Sequence, residues 1–183
     1  MNYSIIRYIL GIVLKLEGIL MCLPLIVGII YSEKSTYSYV ITIAMCLIFG
    51  ILLSHKKPKD TEFYATEGYI TVSLSWVILS IFGCLPFVIS GEIPSIVDAL
   101  FETISGFTTT GASILSDVEA LSHCNNIWRC FTHWIGGMGV LVFILAILPM
   151  RGGQSLYRMK AESPGPCVET LVPKVRNKAM ILY

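Results

Sequence analysis

Charged residues are scarce in this sequence of 183 residues: they make up 14% of it, whereas hydrophobic residues make up 55%. A soluble domain usually carries about 25% charged residues, and a chain this short buries only a limited share of its surface. The composition therefore argues against a soluble domain and favours lipid as the surrounding solvent. The formal net charge of +1 lacks the basic excess of nucleic-acid-binding proteins, so we expect no nucleic-acid partner.

The cysteines show neither a disulfide framework nor the spacing of a metal site. Three of the six lie inside apolar runs, where a thiol behaves as a small hydrophobe. Cys124 and Cys130 lie near His123 and His133, but zinc ligands are usually more closely paired along the chain. We therefore expect no metal site at these four side chains.

Long apolar runs predict an all-α membrane protein with four transmembrane helices, since a span needs about 20 mostly apolar residues. The first run contains Lys15 and Glu17 and lacks a small-residue cleavage site, so we expect a retained helix rather than a signal peptide. Lys15 is expected to extend to the cytoplasmic side and Glu17 to find a polar partner. The four runs are residues 5–30, 37–53, 68–90 and 127–150.

The basic residues predict the orientation, because nine of the thirteen follow the second and fourth runs. Cytoplasmic loops are enriched in Lys and Arg, which places the N-terminus in the cytoplasm of a multi-pass plasma-membrane protein. Residues 1–54 would form two N-terminal helices, 55–67 a cytoplasmic loop and 68–150 a helix–loop–helix unit. Residues 151–183 would be a cytoplasmic linker and the start of a truncated further helix.

A short helix is predicted at residues 95–107, between the third and fourth runs. Ser95 followed by Asp98 forms a capping box after Pro94, and apolar residues recur at helical spacing. At a rise of 1.5 Å per residue the helix is roughly 20 Å long, too short to cross a bilayer. The pattern is typical of a re-entrant pore helix, and equally of an amphipathic helix outside the membrane.

The outer loop, residues 91–126, carries five acidic residues and neither Lys nor Arg. An acidic vestibule would raise the local concentration of cations. Glu102 would either brace the short helix or be solvated, and Arg129 would either pair with an acid or anchor the helix at the interface. The five acids are Glu92, Asp98, Glu102, Asp117 and Glu119.

The residues after the short helix, 108–113, suit the coordination of a partly dehydrated potassium ion. Such an ion needs several oxygen ligands of moderate field strength, which backbone carbonyls on an extended strand supply. Gly111 permits the backbone angles that turn carbonyls toward one axis, and threonine adds a hydroxyl oxygen. Exposed backbone at membrane depth is tolerated where it lines a water-filled path. Residues 108–113 are therefore the predicted filter.

These residues resemble a known family. The run Asp98-Ala-Leu-Phe-Glu-Thr-Ile-Ser-Gly-Phe-Thr-Thr-Thr-Gly-Ala112 is similar to the first pore loop of the Trk/Ktr/HKT potassium transporters. Trp134-Ile-Gly-Gly-Met-Gly-Val140 resembles the helix after that loop, and Gly83-Cys-Leu-Pro86 the helix before it. The N-terminal pair of helices resembles the pair that bacterial Trk-type subunits carry ahead of their first repeat.

The resemblance implies a role in potassium transport. Thr109, Thr110 and Gly111 would be ion ligands, flanked by Thr108 and Ala112, and would form one quarter of a selectivity filter. Family members hold four such repeats, whereas this chain holds one. Potassium would be the transported ion, with no organic cofactor and no resident metal. Full-length subunits would form homodimers in membrane lipid and bind a cytoplasmic nucleotide-binding regulatory subunit of the TrkA type.

Two other functions stay open from the sequence. A chain with a single repeat would alternatively be a non-conducting membrane module that only binds a partner. An intramembrane hydrolase would use Ser113 with His123 or His133, but no nucleophile-elbow pattern supports it, so we expect no enzymatic activity.

Glycines cluster in the fourth predicted span. Gly136, Gly137 and Gly139 are expected to be close-packing positions, with a hinge as the alternative.

Overall fold

The computed structural model describes residues 3–55 and 65–147. The chain divides into two compact units, Met1–Val140 and Leu141–Tyr183, and of the second only residues 141–147 are described. The predicted linker and further helix at 151–183 lie outside the described residues. Within them the chain forms helices and no strand: α1 (Tyr3–Leu20), α2 (Cys22–Ile30), α3 (Thr36–Ser54), α4 (Ala65–Gly83), α5 (Leu85–Ser90), α6 (Ile96–Phe107) and α7 (His123–Ile147).

The first three predicted spans are confirmed. Tyr3–Ile30, Thr36–Ser54 and Glu67–Ser90 are each long and apolar enough to cross a membrane. The fold is therefore that of an α-helical membrane protein. Because α4 begins at Ala65, the last residues of the loop predicted at 55–67 are helical.

Two of these spans are broken by proline. Met21 separates α1 from α2 and Cys84 separates α4 from α5. Pro24 and Pro86 follow the breaks and lack the N–H that would bond the carbonyl four residues earlier. The sequence predicted the spans but placed no break within them.

The fourth predicted span coincides with α7, which begins at His123, four residues before the predicted start at 127. At 25 residues it is roughly 37 Å long. It is not among the three spans found in the described residues, and residues 148–150 lie outside them. Its crossing of the membrane therefore stays a prediction.

The short helix is present as predicted. α6 runs over Ile96–Phe107, and the Oγ of Ser95 accepts a hydrogen bond from the backbone N–H of Asp98 at 3.4 Å. Its 12 residues give roughly 18 Å, too short to cross a bilayer.

The spans turn apolar side chains outward and polar side chains inward, as expected for helices surrounded by lipid. Ile12, Leu16 and Ile48 are exposed, whereas Thr42 and Ser75 are buried. Five buried hydroxyl groups bond the carbonyl four residues earlier in their own helix, in the pairs Thr42–Ser38, Thr71–Glu67, Ser75–Thr71, Ser80–Trp76 and Thr103–Ala99.

Helix α6 packs against α4, α5 and α7. A Cβ atom at Gly136 would lie 2.2 Å from the carbonyl oxygen of Phe107, and one at Gly106 would lie 2.1 Å from the Oγ1 of Thr132. Close packing at Gly136 is therefore confirmed. A Cβ at Gly137 would have ordinary space beside Thr109, so the close-packing prediction does not hold there. Gly139 lies in the part of α7 whose side chains are not described.

Lys15 and Glu17 of α1 differ in their surroundings. The Cγ of Lys15 lies against Gly50 of α3. Glu17 is 1% exposed, and among the described residues neither of its carboxylate oxygens has a hydrogen-bond partner. The expectation that Glu17 finds a polar partner is therefore wrong.

Candidate ion-binding loop

The predicted filter begins as a Schellman motif at the C-terminus of α6. The N–H of Thr110 bonds the carbonyl of Ser105 and the N–H of Thr109 bonds that of Gly106, both at 2.9 Å. Thr109 supplies the left-handed residue that this motif requires, with φ +56°. Gly111 is also left-handed, with φ +76°. The expected extended strand is therefore wrong at its start, because the free carbonyls of the helix end draw in the loop N–H groups.

The loop carbonyls fall into two groups. The carbonyl of Thr108 accepts from the Oγ1 of Thr109 at 2.7 Å, and that of Ala112 accepts from the Oγ of Ser105 at 2.5 Å. Among the described residues, no hydrogen bond reaches the carbonyls of Thr109, Thr110 or Gly111. The three oxygens free to coordinate a ligand thus belong to the three predicted ion ligands, and the two flanking oxygens are occupied.

The threonine hydroxyls mainly hold the loop together. The Oγ1 of Thr108 donates to the carbonyl of Ile104 at 2.8 Å and lies 2.8 Å from the Oγ1 of Thr110. Residues 108–113 are all exposed on the surface of this chain. The loop therefore exposes backbone oxygens while hydrogen bonds within the loop and to α6 hold its conformation.

Glu102 fastens the far end of the loop. It is 1% exposed, and its Oε2 accepts from the Oγ of Ser113 at 3.0 Å and from the N–H of Ile114 at 3.2 Å. Its Oε1 pairs with the Nε of Arg129 on α7. Glu102 therefore braces the short helix instead of being solvated, and Arg129 pairs with an acid instead of serving as a plain interfacial anchor.

The acidic vestibule is smaller than the sequence suggested. Glu92 accepts from the Oγ of Ser35 at 2.5 Å and the N–H of Ser122 at 3.0 Å. Partial burial raises the pKa of Glu92, but these bonds and one from Asn125 outweigh it and hold the pKa below its usual value. Together with the paired Glu102, this leaves Asp117 and Glu119 exposed and Asp98 half-exposed.

The residues of the hydrolase hypothesis have other partners. Ser113 bonds Glu102 and accepts from the N–H of Leu115. The Nδ1 of His123 lies 2.7 Å from Glu33, and that of His133 lies 3.0 Å from the carbonyl of Arg129. Neither histidine is placed to activate Ser113.

The two cysteines near these histidines contact other polar side chains. The Sγ of Cys124 lies 3.3 Å from the Oγ of Ser122, and that of Cys130 lies 3.9 Å from the Oδ1 of Asn126. In the part of the chain that the structure describes, no cluster of three metal-ligating side chains forms.

Comparison with known proteins identifies the family. The family model described as "TrkH: Cation transport protein" matches residues 35–176. The chain belongs to this TrkH family. It is 36% identical over 189 aligned residues to the Trk system potassium uptake protein TrkH of Escherichia coli K12, covering 100% of this chain and 38% of that protein. It is 32% identical to TrkG of the same organism, again covering 100% of this chain and 38% of the relative.

The fold is also that of a TrkH protein. The crystal structure of the potassium transporter TrkH from Vibrio parahaemolyticus matches with a TM-score of 0.77 and 30% identity, covering 100% of this chain and 36% of that one. The chain thus spans little more than a third of the length of these TrkH relatives. The relatives named here are transport proteins and not enzymes, in agreement with the expectation of no enzymatic activity.

Sequence reasoning missed two residues of the site. Ser105 lies within the quoted motif, but its bond to Ala112 depends on the loop folding back onto α6. Glu33 accepts from the N–H groups of His123 and Cys124 at 2.7 and 3.0 Å, which explains why α7 starts early. Its position 90 residues before His123 gives no local signal.

Proposed function

We propose that this chain is the N-terminal part of a potassium uptake subunit and supplies one quarter of its selectivity filter. The carbonyl oxygens of Thr109, Thr110 and Gly111 are the ion ligands, with Thr108 and Ala112 flanking them. The observation that carries the proposal is the division of the loop carbonyls, in which the three central oxygens are free and the two flanking ones are bonded.

The surroundings of the loop support the same function. The loop follows the C-terminus of α6, whose partial negative charge favours a nearby cation. Ser105 and Glu102 fix its two ends to α6, so its carbonyls are held in place before an ion arrives. Preorganised carbonyls can replace the hydration shell of potassium. The named relatives transport potassium, and they align with the whole of this chain.

The cellular setting is part of the proposal. The protein lies in the bacterial inner membrane with a cytoplasmic N-terminus, because the basic residues follow the second and fourth spans. Further repeats complete the ion path, since one loop cannot surround an ion. The full subunit forms a homodimer and binds a TrkA-type nucleotide-binding protein at the cytoplasmic side.

Substitution of Gly111 by alanine in the full-length protein tests the filter. A Cβ atom there would contact nothing within 4 Å among the described residues, so within this chain the change acts through the left-handed backbone at φ +76°. Alanine disfavours this conformation by about 1 kcal/mol, and relaxation of the loop would turn its carbonyls away. We expect the variant to fail to rescue a transport-deficient cell at low potassium.

Gly91 is the matched control. It ends α5 at φ +79°, and in the described part of the chain a Cβ atom there also meets nothing within 4 Å. Gly91→Ala carries the same backbone cost outside the loop and should rescue growth like the wild type. Equal growth of the two variants at low potassium would refute the assignment of the loop as a filter.

A further inference from the structure

Glu17 lies at the centre of the N-terminal bundle, where α1, α3 and α4 meet. Its side chain is 1% exposed and both carboxylate oxygens are closed off from the surface of the chain. Burial is already complete within this part of the protein, so a partner supplied by further repeats has no route to these oxygens.

The neighbours of Glu17 are uncharged or weakly acidic. Cys46 of α3 and Cys84, between α4 and α5, are the titratable groups that face it. From α4, Gly83 approaches so closely that a Cβ atom there would lie 3.1 Å from Oε1. Among the described residues, no hydrogen bond reaches the carboxyl group and no basic side chain is paired with it.

An ionised carboxylate at this buried, unpaired position would have a high free-energy cost. Transfer of an unpaired charge from water to an apolar interior costs far more than a folded protein can offset, and the group takes up a proton instead. A bound metal cation would also neutralise the charge, but it requires several oxygen ligands. The groups that the structure places around Gly83 and Glu17 are thiols, a methyl group and an aromatic ring, so the proton is the ligand that fits.

The site touches the pore helix through a single glycine. At Gly83, the position of a Cβ atom would lie 3.1 Å from Glu17, 3.0 Å from the Cγ2 of Thr103 and 3.1 Å from the Cε2 of Phe107. The carbonyl of the same Gly83 accepts from the Nε1 of Trp128 on α7 at 2.8 Å. Hydration of an ionised Glu17 would therefore displace atoms that pack directly beneath the ion-binding loop.

We propose that Glu17 is a proton-binding site in the membrane core, separate from the ion-binding loop, whose carboxyl group holds a proton in the folded protein at neutral pH. The protonated group attracts no water to the contact between Gly83 and α6, and so leaves α6 in its packed position. The site is defined by burial and contacts in α1, α3 and α4 and does not depend on the assignment of Thr109, Thr110 and Gly111 as ion ligands.

Infrared spectroscopy of the full-length protein in lipid membranes at neutral pH tests this proposal. A protonated carboxyl group has a C=O stretching band that a carboxylate lacks. Subtraction of the Glu17→Gln spectrum from that of the wild type is expected to leave a protonated-carboxyl band with the intensity of one carboxyl group. If the subtraction shows a carboxylate band instead, the proposal is overturned.

Glu102 provides the matched control, because it is equally buried but paired with Arg129. Glu102→Gln is expected to remove a carboxylate band and leave the protonated-carboxyl band intact. Solid-state NMR of wild-type protein labelled with ¹³C-glutamate decides the same question by a second measurement. The carboxyl signal that disappears in Glu17→Gln should have the chemical shift of a protonated acid, and the shift of a carboxylate would refute the proposal.

Discussion

The hydroxyl group of Ser105 donates to the carbonyl of Ala112 at 2.5 Å and so ties the candidate ion-binding loop, residues 108–113, to the last turn of α6. The bond closes the stretch of chain that contains the three free carbonyls, and the backbone carbonyl of Ser105 also accepts from the N–H of Thr110. One serine thus holds two points of the loop.

Removal of this hydroxyl should reduce ion selectivity. In Ser105→Ala the carbonyl of Ala112 loses its partner and is free to turn, so the loop is less well preorganised. We expect the ratio of rubidium to sodium uptake in cells with the full-length protein to fall several-fold. Ser73→Ala removes an exposed hydroxyl that bonds only its own helix, at the carbonyl of Tyr69, and should leave the ratio unchanged. An unaltered ratio in Ser105→Ala would show that the bond does not hold the filter.

The ion pair between Glu102 and Arg129 should matter for stability. Removal of one partner of a buried pair leaves an uncompensated charge and costs about 3–5 kcal/mol. Glu102→Gln is therefore expected to lower the thermal midpoint in detergent strongly, and Arg129→Gln likewise. The double variant leaves no unpaired charge and should be more stable than either single variant. Additive losses in this double-mutant cycle would mean that the pair has no coupling.

Thr109 is held in a conformation that β-branched residues rarely adopt. Left-handed backbone costs an L-residue about 1–2 kcal/mol, and Thr109→Gly would remove that cost while loosening the loop. We expect a thermal midpoint at or above that of the wild type, with weaker discrimination of rubidium over sodium. Ser32 has a similar φ of +52° outside the loop, so Ser32→Gly should give the stability effect alone. A loss of stability in both variants would contradict this account.

Glu33 should make stability fall in acid. Partial burial raises its pKa, but hydrogen bonds from Cys124 and His123 outweigh this and lower the pKa from 4.5 to about 2. The folded state therefore binds fewer protons than the unfolded chain. The stabilisation is complete above about pH 4.5 and is lost as the pH falls toward 2. In Glu33→Gln this part of the pH dependence of the thermal midpoint should vanish. Glu119→Gln, at an exposed acid, is the control and should retain the wild-type profile.

The sequence predicted those features that local patterns specify. Apolar runs located three spans, and the Ser95 cap located the start of α6 within one residue. The free carbonyls of Thr109, Thr110 and Gly111 agree with the assignment of the ligands by resemblance, which stays a prediction. What the sequence could not give depends on contacts between distant residues. The pairing of Arg129 with Glu102 and the isolation of Glu17 both result from helix packing, for which composition and spacing carry no information.

The pattern of hydroxyl bonds inside the spans has a mechanical consequence. Thr71 and Ser75 on the buried side of α4 bond only carbonyls of α4 itself, and Thr42 does the same on α3. These hydroxyl groups therefore have hydrogen-bond partners without bonding a neighbouring helix. A sliding or rotation of α4 against α1 and α3 would therefore break none of these bonds and would be opposed at these positions by shape alone. At these contacts the helices are held together by packing without hydrogen bonds between them, whereas residues 108–113 are hydrogen-bonded to α6.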